Sequence, residues 1–153
     1  MNAEQYQLLL QDLARVAGMA DTAGLVAHGR LKIGELDAVM DHDPKYDENL
    51  LQVRMRLGTL PAESEDLTRA ILEANYVSGY GGECVFSLFP ASDDVIITMR
   101  VRLDASMSAQ ELWQGISDVA RHAAQMWQGI VTVAQVTHVA RPADMHLVGG
   151  MQA

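Results

Sequence analysis

The sequence predicts an α+β fold, with an antiparallel, twisted sheet of about five strands and three helices. Two observations lead to this prediction. From Val95 to Leu103 the odd positions are all apolar, and the even positions are polar after Ile96, which is the period of a half-buried strand. Apolar residues then recur at steps of four and three along a long helix that can cover such a sheet; they are Leu112, Ile116, Val119, Ala123, Met126 and Ile130.

The first predicted element is an amphipathic helix. Asn2 is a suitable cap, Gln5 stands three residues later, and Gly18 is a suitable stop. The apolar face recurs at helical spacing and comprises Tyr6, Leu9, Leu10, Leu13, Val16 and Ala17. Residues 21–29 have little periodicity, and we predict a linker there.

Strands follow the linker. Leu31 and Ile33 alternate with polar residues, and after Gly34 the apolar parity shifts, which predicts a bulge or a sharp bend at that glycine. Residues 41–49 are polar and acidic with one proline, which is typical of a hairpin loop. A second alternating strand then follows, with apolar residues Leu51, Val53, Met55 and Leu57.

The second half repeats the order of helix, two strands and helix. Ser64 is the expected cap of a helix whose apolar face is Leu67, Ala70, Ile71 and Ala74. A glycine-rich loop at 76–82 leads to a strand at 84–89 and a turn at 90–94. Ser108 and Glu111 form a capping-box pattern for the long helix, which we expect from Ala109 to about Gln128.

We predict one domain over residues 1–130 and a C-terminal extension over 131–153. The four valines at 131, 133, 136 and 139 are compatible with an extra strand or with an extension of the preceding element. The glycine-containing end after Pro142 predicts a disordered tail.

Composition limits the classes of function. The net charge is −9 and the pI is about 4.8, which argues against nucleic acid and against an anionic membrane surface as partners. The single cysteine, Cys84, excludes an intramolecular disulfide. The N-terminus lacks the pattern of a signal peptide, and no apolar run approaches the ~20 residues of a membrane span. We therefore expect a cytoplasmic protein.

No motif predicts catalysis, a cofactor or a metal. The cluster Asp41-His42-Asp43 lies in an acidic loop without a further ligand at helical spacing, and exposure to solvent explains it best. Arg100 and Arg102 share the polar face of one strand, where ion pairs are the more common role. We therefore predict a protein that is not an enzyme. A small enzyme that uses the 41–43 loop or the two arginines is the alternative to be tested.

Particular stretches carry a resemblance to a known family. They are Leu72-Glu73-Ala74-Asn75, Phe86-Ser87-Leu88-Phe89-Pro90, the turn Ala91-Ser92-Asp93-Asp94, the strand at 95–103, Ser108-Ala109-Gln110-Glu111-Leu112, and Ala124-Gln125-Met126-Trp127. In this order they resemble the Tir-chaperone (CesT-like) family of class I type III secretion chaperones, over roughly residues 3–130.

The resemblance implies a homodimeric chaperone without enzymatic activity. Such a chaperone binds the N-terminal segment of a secreted effector in extended form and keeps it soluble and competent for export. An acidic chaperone surface would favour basic client segments. The alternative is an acidic α+β adaptor that binds a folded or regulatory partner without chaperone activity.

By analogy with the family, the dimer contact is expected on the second helix and the following strand, and the client surface on the first helix and the first strands. The expected dimer residues are Leu67, Ile71, Phe86 and Leu88. The expected client residues are Leu9, Leu13, Val16, Leu51, Val53 and Met55.

Overall fold

The predicted α+β architecture is confirmed. The computed structural model describes residues 1–20, 22–61, 65–78, 84–104 and 106–140. The helices are α1 Ala3–Val16, α2 Ala23–His28, α3 Glu65–Ser78 and α4 Ala109–Ala140, and the strands are β1 Arg30–Ile33, β2 Leu36–Asp41, β3 Leu50–Thr59, β4 Cys84–Leu88 and β5 Asp94–Arg102. The five strands form one sheet in the order β1-β2-β3-β5-β4, and all neighbouring strands are antiparallel.

The helices cover one face of this sheet, which we call the inner face. Helix α1 packs against α4, α3 packs against α4 and β4, and the short α2 lies beside β1 and β2. Alternate residues of every strand point into this layer because successive side chains in a strand face opposite ways. The buried strand residues are Leu31, Ile33, Ala38, Met40, Leu51, Val53, Met55, Phe86, Val95 and Ile97.

Both capping boxes predicted from the sequence are present. The Asn2 side chain accepts a hydrogen bond of 2.8 Å from the Gln5 N–H, and the Gln5 side chain accepts one of 3.0 Å from the Asn2 N–H. At α4 the Glu111 N–H donates to Ser108 Oγ at 3.2 Å, and the Ser108 N–H donates to Glu111 Oε2 at 3.0 Å. These bonds satisfy N–H groups that have no partner within the helix.

Two predictions about residues 21–35 are wrong. The expected linker contains helix α2, which is held by the fully buried Leu25 and ends at Gly29 with φ +65°. A helix of six residues is too short to produce a periodic pattern. Gly34, with φ +60°, lies in a two-residue turn between β1 and β2, and not in a bulge or bend of one strand. The shift of parity therefore marks the change from one strand to the next.

Helix α4 continues well past its expected end at Gln128. Residues 131–140 are helical, so the extra strand considered for the C-terminal extension is not formed there. The valines suggested a strand, but the segment lacks a proline and continues an established helix, in which each added residue gains a hydrogen bond. Residues 76–78, predicted to begin the glycine-rich loop, instead form the last turn of α3. The Ser64 cap, the rest of that loop and the tail from 141 lie outside the described residues. The domain boundary at residue 130 stays a prediction.

Gly58 brings helix α4 close to the sheet. The pairing of β3 with β5 shifts between Arg56 and Gly58, which is a β-bulge. A methyl group at Gly58 would lie only 2.7 Å from Nε1 of Trp127, a buried residue of α4. A side chain at residue 58 would therefore displace the indole or the strand.

The edge strand β4 is capped by a side chain of α3. The Phe86 N–H donates to Asn75 Oδ1 at 2.7 Å, and the Asn75 amide donates to the Phe86 carbonyl at 2.9 Å. The amide therefore forms the pair of bonds that a neighbouring strand would form. Both backbone groups of Phe86 are satisfied, and α3 is fixed to the edge of the sheet.

Candidate partner-binding surfaces

The outer face of the sheet, opposite the helices, contains an open groove. It has a volume of about 710 Å³, and residues of all five strands line it. Val39 of β2 and Ile96 of β5 form an apolar floor, and both are only half-buried. At one end the groove reaches Leu88, Phe89 and Pro90, which are exposed. An open apolar groove of this size is a typical site for a partner's side chains.

Three arginines and one aspartate, Asp37, line part of this groove. Arg30, Arg54 and Arg56 line it from β1 and β3. Arg54 pairs with Asp41 at 2.8 Å, and both side chains are about half exposed. Such exposed pairs contribute little to stability, about 0–1 kcal/mol, so Arg54 can exchange its partner at small cost.

Arg56 is bound more firmly than Arg54. Its guanidinium donates to Asp94 Oδ1 at 2.7 Å and to Thr59 Oγ1 at 3.0 Å. The hydroxyls of Thr59 and Ser92 also donate to Asp94, at 2.7 and 2.8 Å. The Arg56 hydrogen bond, followed by the bonds from these hydroxyls, holds the pKa of Asp94 far below its usual range. Arg56 thus fixes the end of the β3–β5 pair.

A second apolar surface lies where α3 meets the capped edge of the sheet. Leu72 and Tyr76, four residues apart on α3, are 63% and 75% exposed. Val85, Leu88 and Phe89 are also exposed, at and just after β4. We call these five residues the α3/β4 patch. Several exposed large apolar side chains on neighbouring elements are candidates for an interaction surface.

Helix α1 contributes a smaller surface. Leu8 and Val16 are its exposed large apolar residues. Leu8 borders a depression of about 450 Å³ between the start of α1 and the segment Met107–Ala109, at the start of α4. The exposed face of α1 is therefore partly apolar.

Most of the predicted site residues lie in the core. Among the expected client residues, Leu13, Leu51, Val53 and Met55 have no exposed area, Leu9 is buried, and Val16 is exposed. Among the expected dimer residues, Leu67, Ile71 and Phe86 are buried, and Leu88 is exposed. The buried residues offer no contact surface in the folded monomer. Only Val16 and Leu88 lie on surfaces that a partner can reach.

The Asp41–Asp43 loop has structural roles. Asp41 pairs with Arg54, and the ring of His42 stacks on Tyr6 with a centroid distance of 4.4 Å. The side chain and carbonyl of Asp43 accept backbone hydrogen bonds within its own loop. Among the described residues, no group of three or more His, Cys, Asp or Glu side chains is placed to hold a metal ion.

Tyr6, which stacks on His42, has a perturbed hydroxyl. The hydroxyl oxygen is buried and has no hydrogen-bond partner among the described residues. Burial, with a smaller contribution from the charge of Asp41, raises the pKa of Tyr6 to about 12. The neutral hydroxyl is thus favoured, and the ring fills space between α1 and the loop.

One signal in the sequence could have identified the groove. Val39 and Ile96 are apolar at positions where the alternation of their strands calls for a polar residue. The α3/β4 patch could have been identified by the same signal, because Leu72 and Tyr76 are apolar but lie off the buried face of α3. Apolar residues out of phase mark a surface, whereas apolar residues in phase mark the core.

In the described part of the chain, no helix combines the length and apolar character needed to cross a bilayer.

Two solved structures have a fold similar to that of this chain. The Yersinia pestis chaperone SycH, solved in complex with a stable fragment of YscM2, is 22% identical with a TM-score of 0.56; the match covers 79% of this chain and 98% of that one. ExsC, from the ExsC–ExsE complex, is 15% identical with a TM-score of 0.65; the match covers 84% of this chain and 95% of that one. These structural similarities establish the fold of this chain.

The curated proteins contain no significant match to the sequence. The sequence does match the Tir chaperone protein (CesT) family over residues 9–126. This range runs from α1 into α4 and includes the whole sheet. It confirms the resemblance seen in the sequence, and the chain belongs to the Tir chaperone (CesT) family.

Proposed function

We propose that this protein is a type III secretion chaperone of the bacterial cytoplasm. It binds the N-terminal segment of a secreted effector in extended form and keeps it soluble and competent for export. The observation that carries this proposal is the open apolar groove across the outer face of the sheet, in a chain of the CesT family. The two similar structures are both complexes, one of the chaperone SycH with a stable fragment of YscM2 and one of ExsC with ExsE.

The geometry suits an unfolded client better than a small substrate. An extended segment loses conformational entropy when it is ordered, so it needs contacts spread over a large area. The groove, the α3/β4 patch that adjoins it at Leu88 and Phe89, and the α1 surface around Leu8 together offer apolar contacts over a large area. The polar loop at 41–43 is engaged in packing and ion pairs. We therefore propose that the protein acts by binding and not by catalysis.

We also propose that the protein is a homodimer and that its subunits meet at the α3/β4 patch. These are the elements that the family resemblance indicates, but the contact residues differ from those first expected. Leu72, Tyr76 and Val85 would form the contact, because Leu67, Ile71 and Phe86 already fill the core. A symmetric contact would remove the large exposed side chains of both subunits from water.

Co-expression tests the chaperone proposal. The chain is produced together with a tagged N-terminal segment of a secreted protein encoded by a neighbouring gene, and with the folded remainder of that protein as a control. We expect the N-terminal segment to become soluble and to copurify with the chain, and the folded remainder not to bind. Binding of the folded remainder alone would support the adaptor instead. A segment that stays insoluble beside the chain would contradict the chaperone proposal.

A further inference from the structure

Positive charge is concentrated on one face of this acidic protein. The chain carries 11 Lys and Arg against 20 Asp and Glu. Strand pairing places six of these 11 basic residues on the outer face of the sheet, and all six are exposed. They are Arg30, Lys32, Arg54, Arg56, Arg100 and Arg102. Four of the six pair with carboxylates, Lys32 with Asp37, Arg54 with Asp41, Arg56 with Asp94 and Arg102 with Asp47, so this face carries a small positive excess in an otherwise acidic molecule.

These cations differ in their availability to a ligand. Arg56 is fixed by its bonds to Asp94, and Arg54 shares an exposed pair with Asp41. Arg30 forms no ion pair with any residue that the structure describes. Arg30 and Arg54 both border the groove, so they can bind a new anion without loss of a strong internal contact.

The positions of the two arginines relative to the floor restrict the ligand. Arg30 is paired across the sheet with Val39, and Val39 with Arg54, so an apolar residue lies in register between two arginines. Neighbouring strands are about 4.8 Å apart, which puts the two arginines about 10 Å apart across the sheet. A ligand that contacts both the arginines and the apolar residue between them must have carboxylates beside a large apolar side chain.

We propose that the groove binds a segment of the secreted partner in which acidic residues alternate with large apolar residues. This inference rests on the proposed chaperone function and refines it. Net charge alone favours basic clients, but Arg30, which borders the groove without an ion pair to any described residue, would repel a basic side chain there. Carboxylates would pair with Arg30 and Arg54, preferably in bidentate geometry. The apolar side chains would cover Val39 and Ile96.

Synthetic peptides test this proposal on the full chain. The first is a fluorescein-labelled peptide of about eight residues, long enough at ~3.3 Å per residue to cross the sheet, with glutamates alternating with leucines and phenylalanines. In a second peptide lysine replaces glutamate, and in a third serine replaces the apolar residues. Fluorescence anisotropy should show the first peptide binding at least about tenfold more tightly than either of the others. Equal or tighter binding of the lysine peptide would overturn the proposal.

Variants of the chain locate the site. Arg30→Glu combined with Arg54→Glu should weaken binding of the first peptide by about tenfold or more. Arg15→Glu is the matched control, because Arg15 is an exposed arginine of α1 whose partner is Asp12; it should leave the affinity unchanged. Ile96→Ser should also weaken binding, because it removes part of the apolar floor. Circular dichroism and thermal unfolding establish that each variant is folded.

Two outcomes separate this inference from its alternatives. If single-stranded RNA binds the outer face and Ile96→Ser does not alter peptide affinity, the face is a general polyanion site and the proposal fails. If the Arg30/Arg54 variant still copurifies with the N-terminal client segment as well as the wild type does, the chaperone function stands and the groove proposal fails. Peptide selectivity without any client copurification would support the groove and contradict the chaperone function.

Discussion

At the scale of single residues, the absence of a side chain at Gly58 lets the indole of Trp127 in α4 pack against strand β3. We expect Gly58→Ala to lower the free energy of unfolding by about 1–3 kcal/mol, because the methyl group must displace the indole or the strand. Urea denaturation, followed by circular dichroism, measures this change.

Gly115→Ala is the matched control for Gly58→Ala. Gly115 lies within α4 with open space around its Cα, so the same added methyl meets nothing. It should raise stability by up to about 1 kcal/mol through helix propensity. Equal effects of the two substitutions would contradict the role assigned to Trp127.

Individual residues also explain which parts of the site the sequence could reveal. Leu13, Leu51 and Met55 were expected to contact a client by analogy with the family, but their regular apolar spacing is the reason they are buried. The surface residues Val39 and Leu72 break the pattern of their elements instead. Periodicity identifies the face of an element that is buried, but it cannot tell burial within the chain from burial against a partner.

At the scale of elements, the capped edge of β4 gives a second prediction. Asn75→Ala would leave the Phe86 N–H and carbonyl without their partner. We expect a loss of about 1–2 kcal/mol in the free energy of unfolding, although alanine's higher helix propensity offsets part of it. Denaturation curves should show the loss, and light scattering should show association through the uncovered strand.

Gln114→Ala is the control for Asn75→Ala. Its amide is also on a helix but forms only longer contacts, of 3.2–3.4 Å, to the exposed carboxylate of Asp118. Its effect should stay within about 0.5 kcal/mol. If Asn75→Ala has no larger effect, then the Asn75 amide does not hold the edge.

The elements themselves could be predicted to different degrees. Strands β3 and β5 and the starts of α1 and α4 were predictable, because alternation and capping are local patterns. Helix α2 was not, since one buried side chain, Leu25, anchors it. The end of α4 was not either, because the valines after Gly129 have the composition of a strand, whereas their conformation follows from the helix that precedes them.

At the scale of the whole molecule, the proposed homodimer can be tested by sedimentation. We expect the wild type to sediment as a dimer at micromolar concentration. Leu72→Glu should raise the dimer dissociation constant by about tenfold or more, because a charge would be buried at the contact. A wild-type monomer at these concentrations would contradict the dimer.

Leu8→Glu is the control for this experiment. It makes the same chemical change at an exposed leucine of α1, outside the α3/β4 patch. The variant should sediment like the wild type. If Leu8→Glu dissociates the dimer and Leu72→Glu does not, the dimer contact lies on the α1 surface instead of the α3/β4 patch.

The amide of Asn75 has one more consequence for the molecule. Because the Asn75 amide occupies the middle of the β4 edge, a foreign strand is hindered there, and β1 is the other edge strand of the described sheet. A fibre grows by strand addition only if both edge strands of the sheet can pair with another molecule, and here the Asn75 amide blocks the edge at β4. An extended guest could therefore lengthen the sheet by one strand, but the complex could not propagate into a polymer.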